Sequence, residues 1–118
     1  MKRNIDIAAA YGCRYMRHDT TSGFGAGIKT ARSFDNAIEI MAPAIREITL
    51  YAKKLGIITI TENHGFFSQD SDRVEKLINA VNDDNFGMLV DIGNFSCADE
   101  SSVTAVGRAA PYARHVHA

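Results

Sequence analysis

Three strand-like runs of this sequence each end in a side chain that can bind a metal ion or move a proton: Glu62, Asp91 and His117. Consecutive ends lie 29 and 26 residues apart, close to the length of one strand-plus-helix unit of a parallel sheet, about thirty residues. Repeated units of this kind predict an α/β fold, either a (β/α)8 barrel or an open doubly wound sheet. In both, the carboxyl ends of the strands share the face where ligands bind.

Helical patterns separate the strand-like runs. The longest starts after Ser33, a good N-cap, and ends at Gly56, with Pro43 inside it as a kink or the mark of a late start. Asp72 is expected to cap the next helix, with Glu75 as its capping-box partner. The patterns predict helices at 5–11, 33–55, 72–81 and 101–110, and strands at 13–18, 57–61, 86–90 and 112–117.

Composition narrows the class of protein. The 118 residues suit one domain spanning 1–118, and the net charge of -1 with no basic block argues against a nucleic-acid partner. No apolar run reaches the length of a membrane span, and the first residues do not resemble a signal peptide. We therefore expect a cytoplasmic protein in which Cys13 and Cys97, at no metal or redox spacing, are reduced and partly buried.

The strand-end residues Glu62, Asp91 and His117 form a carboxylate, carboxylate and imidazole set. Such a set suits a divalent ion, namely Mn²⁺, Mg²⁺, Co²⁺ or Zn²⁺. The residue pattern alone leaves a structural alternative open, because a strand-end carboxylate can cap the next helix and a lone histidine is often part of the packing. Whether the three side chains meet in space decides between the two interpretations.

Other polar residues near the strand ends are candidate substrate contacts. His64 either faces a substrate or bonds a neighbouring loop, and Asn94 either bonds a sugar hydroxyl or satisfies its own turn. Arg17 and His18 end the first strand and could line the pocket, although Arg17 is equally suited to a structural ion pair. His115 is expected to sit deeper and to pack. The glycine-rich loop at 20–30 is a mobile surface loop or lid, or else a phosphate cradle.

The sequence resembles the sugar phosphate isomerase/epimerase superfamily, the xylose isomerase-like TIM barrels, at residues 61–65 (TENHG), 90–95 (VDIGNF) and 115–117 (HVH). The resemblance implies a partial (β/α)8 barrel of about four βα units, matching strands 4–7. It also implies that Glu62, Asp91 and His117 bind the metal, with Glu62 doubling as the catalytic base. The implied reaction is proton transfer next to the carbonyl of a sugar or sugar phosphate, through a metal-stabilised enediolate.

The sequence departs from that family in its number of strands. The early strands and the eighth, which normally supplies a glutamate ligand, have no counterpart, so we expect either a homo-oligomer, a dimer that closes the open edges, or a truncated piece of a longer gene product. One alternative function is a non-catalytic, self-associating barrel fragment. A remote alternative is an endonuclease IV-like DNA repair enzyme, against which stand Asn94, in place of a histidine, and the absence of a basic surface signal.

Overall fold

The computed structural model describes residues 1–118. Four parallel strands form one sheet in chain order, so each strand pairs with the next along the sequence. The strands are β1 (Tyr15–Arg17), β2 (Ile58–Glu62), β3 (Phe86–Asp91) and β4 (Ala113–His117). The α-helices are α1 (Lys2–Ala10), α2 (Phe34–Lys54), α3 (Ser71–Val81) and α4 (Ser102–Ala109). This is half of a TIM barrel, as predicted, with short 3-10 turns at Asn94–Ala98 and Ala110–Tyr112.

The helices cover one face of the sheet, because every second side chain of a strand points toward them. Their main hydrophobic core joins α2, α3 and α4 to β3, and a smaller cluster joins α1 and α2 to the start of β2. The main cluster contains Ala42, Ile45, Val74, Leu77, Ile78, Val81, Phe86, Met88, Val90, Phe95, Ala105 and Ala109. The opposite face, called the inner face below, carries the alternate side chains of each strand.

The ends of α2 follow the sequence prediction. The Ser33 hydroxyl accepts a hydrogen bond from the backbone N–H of Asn36, and Gly56 adopts the positive φ of +71° that a helix-ending glycine allows. The helix starts at Phe34, so a late start at Pro43 is wrong. Pro43 lies within a continuous helix on its exposed side, where water can reach the carbonyl that its missing N–H leaves without a partner.

The start of α3 differs from the prediction. Asp70, not Asp72, is the N-cap, and its carboxylate accepts a hydrogen bond from the backbone N–H of Arg73. Asp72 lies inside the first turn and pairs with Lys76 one turn later. Glu75 does not complete a capping box, since its carboxylate accepts a hydrogen bond from the Tyr112 hydroxyl. Both aspartates match the cap pattern, but Asp70 has the extended backbone, φ -75° and ψ 154°, that is typical of an N-cap, whereas Asp72 is already helical.

Three side chains are more exposed than predicted. Cys13 and Cys97 are free thiols, but both are exposed rather than partly buried. His115 was expected to pack at depth, whereas it is exposed on the inner face of β4, with its ring edge-on to that of His117 at 5.5 Å. The inner face of a half barrel has no opposite strands to cover it, which explains the exposure of His115. None of the helices combines the length and the apolar character needed to cross a membrane.

Candidate metal centre

The predicted ligands meet at the carboxyl ends of β2, β3 and β4. Glu62 pairs in register with Leu89, and Asp91 pairs with His117, so the three strand ends lie side by side. The His117 Nδ1 atom lies 3.9 Å from the Glu62 Oε1 atom and 3.8 Å from the Asp91 Oδ2 atom. One ligand atom from each residue lies within 4.8 Å of the other two. Two carboxylates and one imidazole at this spacing fit a divalent ion after small side-chain rotations.

The turn after β3 orients the Asp91 carboxylate. Its Oδ1 atom accepts hydrogen bonds from the backbone N–H groups of Gly93 and Asn94, both at 2.9 Å. These bonds leave the Oδ2 atom as the one that faces His117. A ligand whose second oxygen is held in this way loses little rotational freedom when it binds an ion.

Asn63 is a site residue that the sequence interpretation did not single out. Its side chain is fully buried, at 0% exposure. The Nδ2 group donates to the Asp91 carbonyl at 2.9 Å, and the Oδ1 atom accepts from the Asp91 N–H at 2.8 Å. Asn63 therefore links the end of β2 to the end of β3 and fixes the position of the Asp91 backbone beside Glu62. The available signal was an amide directly after a buried strand, because a buried amide needs partners for both of its ends.

Glu62 is nearly buried, at 7% exposure. Two residues that were predicted as substrate contacts, Arg17 and Asn94, bond its carboxylate. The Arg17 Nε atom lies 2.8 Å from the Glu62 Oε2 atom, and the Asn94 Nδ2 group donates to Oε1 at 3.2 Å. The same Arg17 guanidinium also pairs with Asp19 at 2.7 Å. In this structure Arg17 is thus the counter-ion of the carboxylate, which a nearly buried charge requires.

His64, the third predicted contact, lies beside the ligand cluster. It is exposed, and with Glu62 it lines a small cavity of about 130 Å³ whose other wall is the loop after β1. This position leaves the His64 side chain free to meet a bound molecule.

A family comparison agrees with this geometry. The family model described as xylose isomerase-like TIM barrel matches residues 1–118, the whole chain. The chain belongs to the xylose isomerase-like TIM barrel family. No curated protein sequence matches it significantly.

Solved structures with this fold are similar to the xylose isomerase-like chain, at identities that establish the fold alone. The probable 3-DHS dehydratase AsbF from Bacillus anthracis gives a TM-score of 0.80 at 14% identity, over 98% of this chain and 41% of that one. The 3-keto-D-glucoside 4-epimerase YcjR from E. coli gives 0.74 at 15%, over 98% and 47%. A xylose isomerase-like TIM barrel protein from Mycobacterium smegmatis, in complex with magnesium, gives 0.73 at 20%, over 99% and 42%. The chain spans less than half the length of each.

In this xylose isomerase-like half barrel, His18 is not brought to the ligand cluster. Its side chain is 6% exposed and stacks on Phe86 under the helices, with ring centroids 5.7 Å apart. Neighbouring positions of a strand point to opposite faces, so Arg17 reaches Glu62 while His18 turns toward α2. The His18 Nδ1 atom lies 3.2 Å from the Asp19 carbonyl, and the Nε2 atom is buried without a partner.

The buried His18 makes stability depend on pH. Burial lowers its pKa below the ordinary value of 6.5, so the unfolded chain binds the proton more readily than the folded one. The contribution of His18 to stability is therefore complete above about pH 6.5 and falls as the pH drops below that value. We expect His18→Phe, which keeps a ring against Phe86, to reduce the fall in the free energy of unfolding below pH 6.5. Chemical denaturation between pH 5 and 7.5 measures this free energy. An equal pH dependence in the two proteins would show that His18 is not its source.

Proposed function

We propose that this chain carries the metal-binding part of a divalent-metal-dependent sugar or sugar phosphate isomerase or epimerase. The observation that supports this most is the convergence of Glu62, Asp91 and His117 at the carboxyl ends of adjacent barrel strands. In TIM barrels that edge is where active sites form. The fold is shared with an epimerase and with a magnesium complex, and this favours the same class of chemistry.

The three ligand side chains have distinct roles in this proposal. The His117 imidazole, the Asp91 Oδ2 atom and the Glu62 Oε1 atom would hold Mn²⁺, Mg²⁺, Co²⁺ or Zn²⁺. When bound, such an ion stabilises negative charge that develops on the oxygens of a sugar during proton transfer. Asp91 and His117 serve only to hold the ion. His64 lines the cavity beside Glu62, and Asn94 donates to the same carboxylate; in this proposal both would also bond the substrate hydroxyls.

Glu62 is the proposed base, and Arg17 controls its availability. The Oε2 atom is the one not directed at the other ligands, and Arg17 holds it at 2.8 Å. A proton can be accepted at Oε2 only when the guanidinium turns away. Asp19, already 2.7 Å from the same guanidinium, offers Arg17 an alternative partner during that step. Arg17 is accordingly a positioning residue rather than a group that reacts.

Assembly forms part of the proposal, because the sheet ends in two unpaired edges at β1 and β4. A second copy could place its β1 beside β4 and its β4 beside β1, which closes an eight-stranded parallel barrel about a two-fold axis. The open edges also favour a second candidate function, a cytoplasmic self-associating module without catalysis. The two candidates differ in metal binding and proton exchange, so both can be tested on one sample.

Calorimetric titration of the metal-stripped protein with Mn²⁺, repeated with Co²⁺, tests the proposed function. We expect one ion per chain at about micromolar affinity or better. The loaded protein is then incubated with free sugars and sugar phosphates in D₂O, and NMR follows deuterium uptake next to the carbonyl. Light scattering on the same sample is expected to give twice the mass of one chain. A folded sample that binds no ion and exchanges no proton would leave only the self-associating module.

A further inference from the structure

The small cavity beside Glu62 is a polar compartment at the edge of the candidate metal centre. Its volume is about 130 Å³, and no hydrophobic residue contributes to its wall. The lining consists of Asp19, Thr20, Thr21, Ser22, Glu62, His64 and Gly65. A cavity of this size holds a few hydroxyl-bearing carbons or the water molecules that they would displace.

The two loops that form the cavity are attached to each other. The Thr20 hydroxyl and the Ser68 hydroxyl are hydrogen-bonded at 2.8 Å, which joins the loop after β1 to the loop after β2. In the same two loops, the rings of Phe24 and Phe67 meet edge to face at 6.0 Å. The cavity is therefore a feature of the folded loops, since a polar contact and an aromatic contact hold its two walls together.

The charges around the cavity disfavour an anion. Two carboxylates, those of Asp19 and Glu62, belong to its wall, and no lysine or arginine does. Arg17 is the adjacent cation, and both carboxylates already use it. Lys29 and Arg32, further along the same loop, do not line the cavity.

Arg73, on the first turn of α3, is committed elsewhere. It pairs with Asp70 at 3.3 Å and donates to the carbonyls of Phe66 and Phe67. Apart from an ion bound at Glu62 itself, a phosphate group entering the cavity would meet two carboxylates and no free cation, an arrangement that costs binding free energy. Sugar hydroxyls can instead donate to the Asp19 carboxylate and both donate to and accept from the threonine and serine hydroxyls.

We propose that this cavity receives the hydroxylated end of an uncharged sugar and discriminates against its phosphate ester. The inference rests on the proposed function in one respect, because it assumes that the carbonyl end of the same molecule lies at the ligand cluster. It narrows the substrate class from sugars and sugar phosphates to unphosphorylated sugars. The proposed specificity-determining residues are Asp19 and Ser22, which line the cavity and carry a carboxylate and a hydroxyl.

Binding of D-fructose and D-fructose 6-phosphate to the 118-residue chain tests the inference. NMR titrations are run with the metal-stripped protein and with the Mg²⁺-loaded protein. We expect the free sugar to bind about tenfold more tightly than the ester, which corresponds to one unfavourable like-charge contact. Ser22→Lys places a cation in the wall at an exposed position and should reduce the preference at least fivefold. Thr104→Lys adds the same charge on exposed α4, outside the cavity, and should leave the preference unchanged.

The outcomes separate this inference from the proposed function. Tighter binding of the ester by the unmodified chain, no binding of either sugar, or a preference that Ser22→Lys does not alter would overturn the inference. If the ester also exchanges its proton in D₂O, the proposed function would still stand. If the free sugar is preferred but no metal ion binds and no proton exchanges, the cavity assignment would stand and the proposed function would fail.

Discussion

Replacing Asp91 by asparagine is expected to weaken Mn²⁺ binding about tenfold or more while leaving the helix content unchanged. The carbonyl oxygen of the introduced amide would still accept the backbone hydrogen bonds from Gly93 and Asn94 that fix the turn. The substitution removes only the negative charge and the Oδ2 oxygen that faces His117. The effect should therefore appear in calorimetric titration and not in circular dichroism.

The matched control for this change is Asp99→Asn. Asp99 is exposed and adopts a left-handed backbone conformation, φ +56°, which asparagine tolerates well. The control removes the same charge from the turn that follows the candidate metal centre, so it tests whether net charge alone alters the affinity. Unchanged Mn²⁺ affinity in Asp91→Asn, or an equal loss in both variants, would exclude Asp91 as a ligand.

Asn63→Ala is expected to reduce both stability and metal affinity. The substitution removes two hydrogen bonds. The N–H and the carbonyl of Asp91 then lose the partners that the fully buried Asn63 side chain provides. Each such loss costs about 1–3 kcal/mol, so we expect the free energy of unfolding to fall by about 2–6 kcal/mol. Metal affinity should fall with it, because the Asp91 backbone is no longer tied to the end of β2.

Asn85→Ala separates these two effects. Asn85 forms a comparable link at the opposite end of the sheet, where its Nδ2 group donates to the Ile57 carbonyl at 2.7 Å. Its loss should lower stability without altering Mn²⁺ affinity in the folded protein. Urea denaturation and calorimetry on both variants make the comparison. Equal metal affinity in Asn63→Ala and Asn85→Ala would show that Asn63 supports the fold and not the ligands.

Local signals were sufficient to predict most of the fold. Helix ends are set by a few neighbouring residues, so the cap at Ser33 and the stop at Gly56 could be identified from the sequence alone. Where two neighbouring residues carried the same signal, as Asp70 and Asp72 do, the local pattern did not discriminate between them. The two differ in backbone conformation, since Asp70 is extended and Asp72 is helical.

The proximity of the three candidate ligands could also be predicted, for a geometric reason. Parallel strands joined by helices of similar length bring their carboxyl ends to one edge, and residues that end such strands become neighbours. Glu62, Asp91 and His117 meet as that rule requires. The positions of the predicted substrate contacts did not follow from strand geometry in this way. Arg17 and His18 are adjacent in the sequence, yet one reaches Glu62 and the other lies beneath α2.

Periodicity and spacing along the chain predict the order of the elements, the parallel sheet and the edge at which the candidate ligands lie. Three further features emerge from the folded chain: Arg17 neutralises Glu62, Asn63 supports Asp91, and a polar cavity lies between two loops. The contacts that create them join residues far apart in the chain. Their existence depends on distances of a few ångströms that no local pattern encodes.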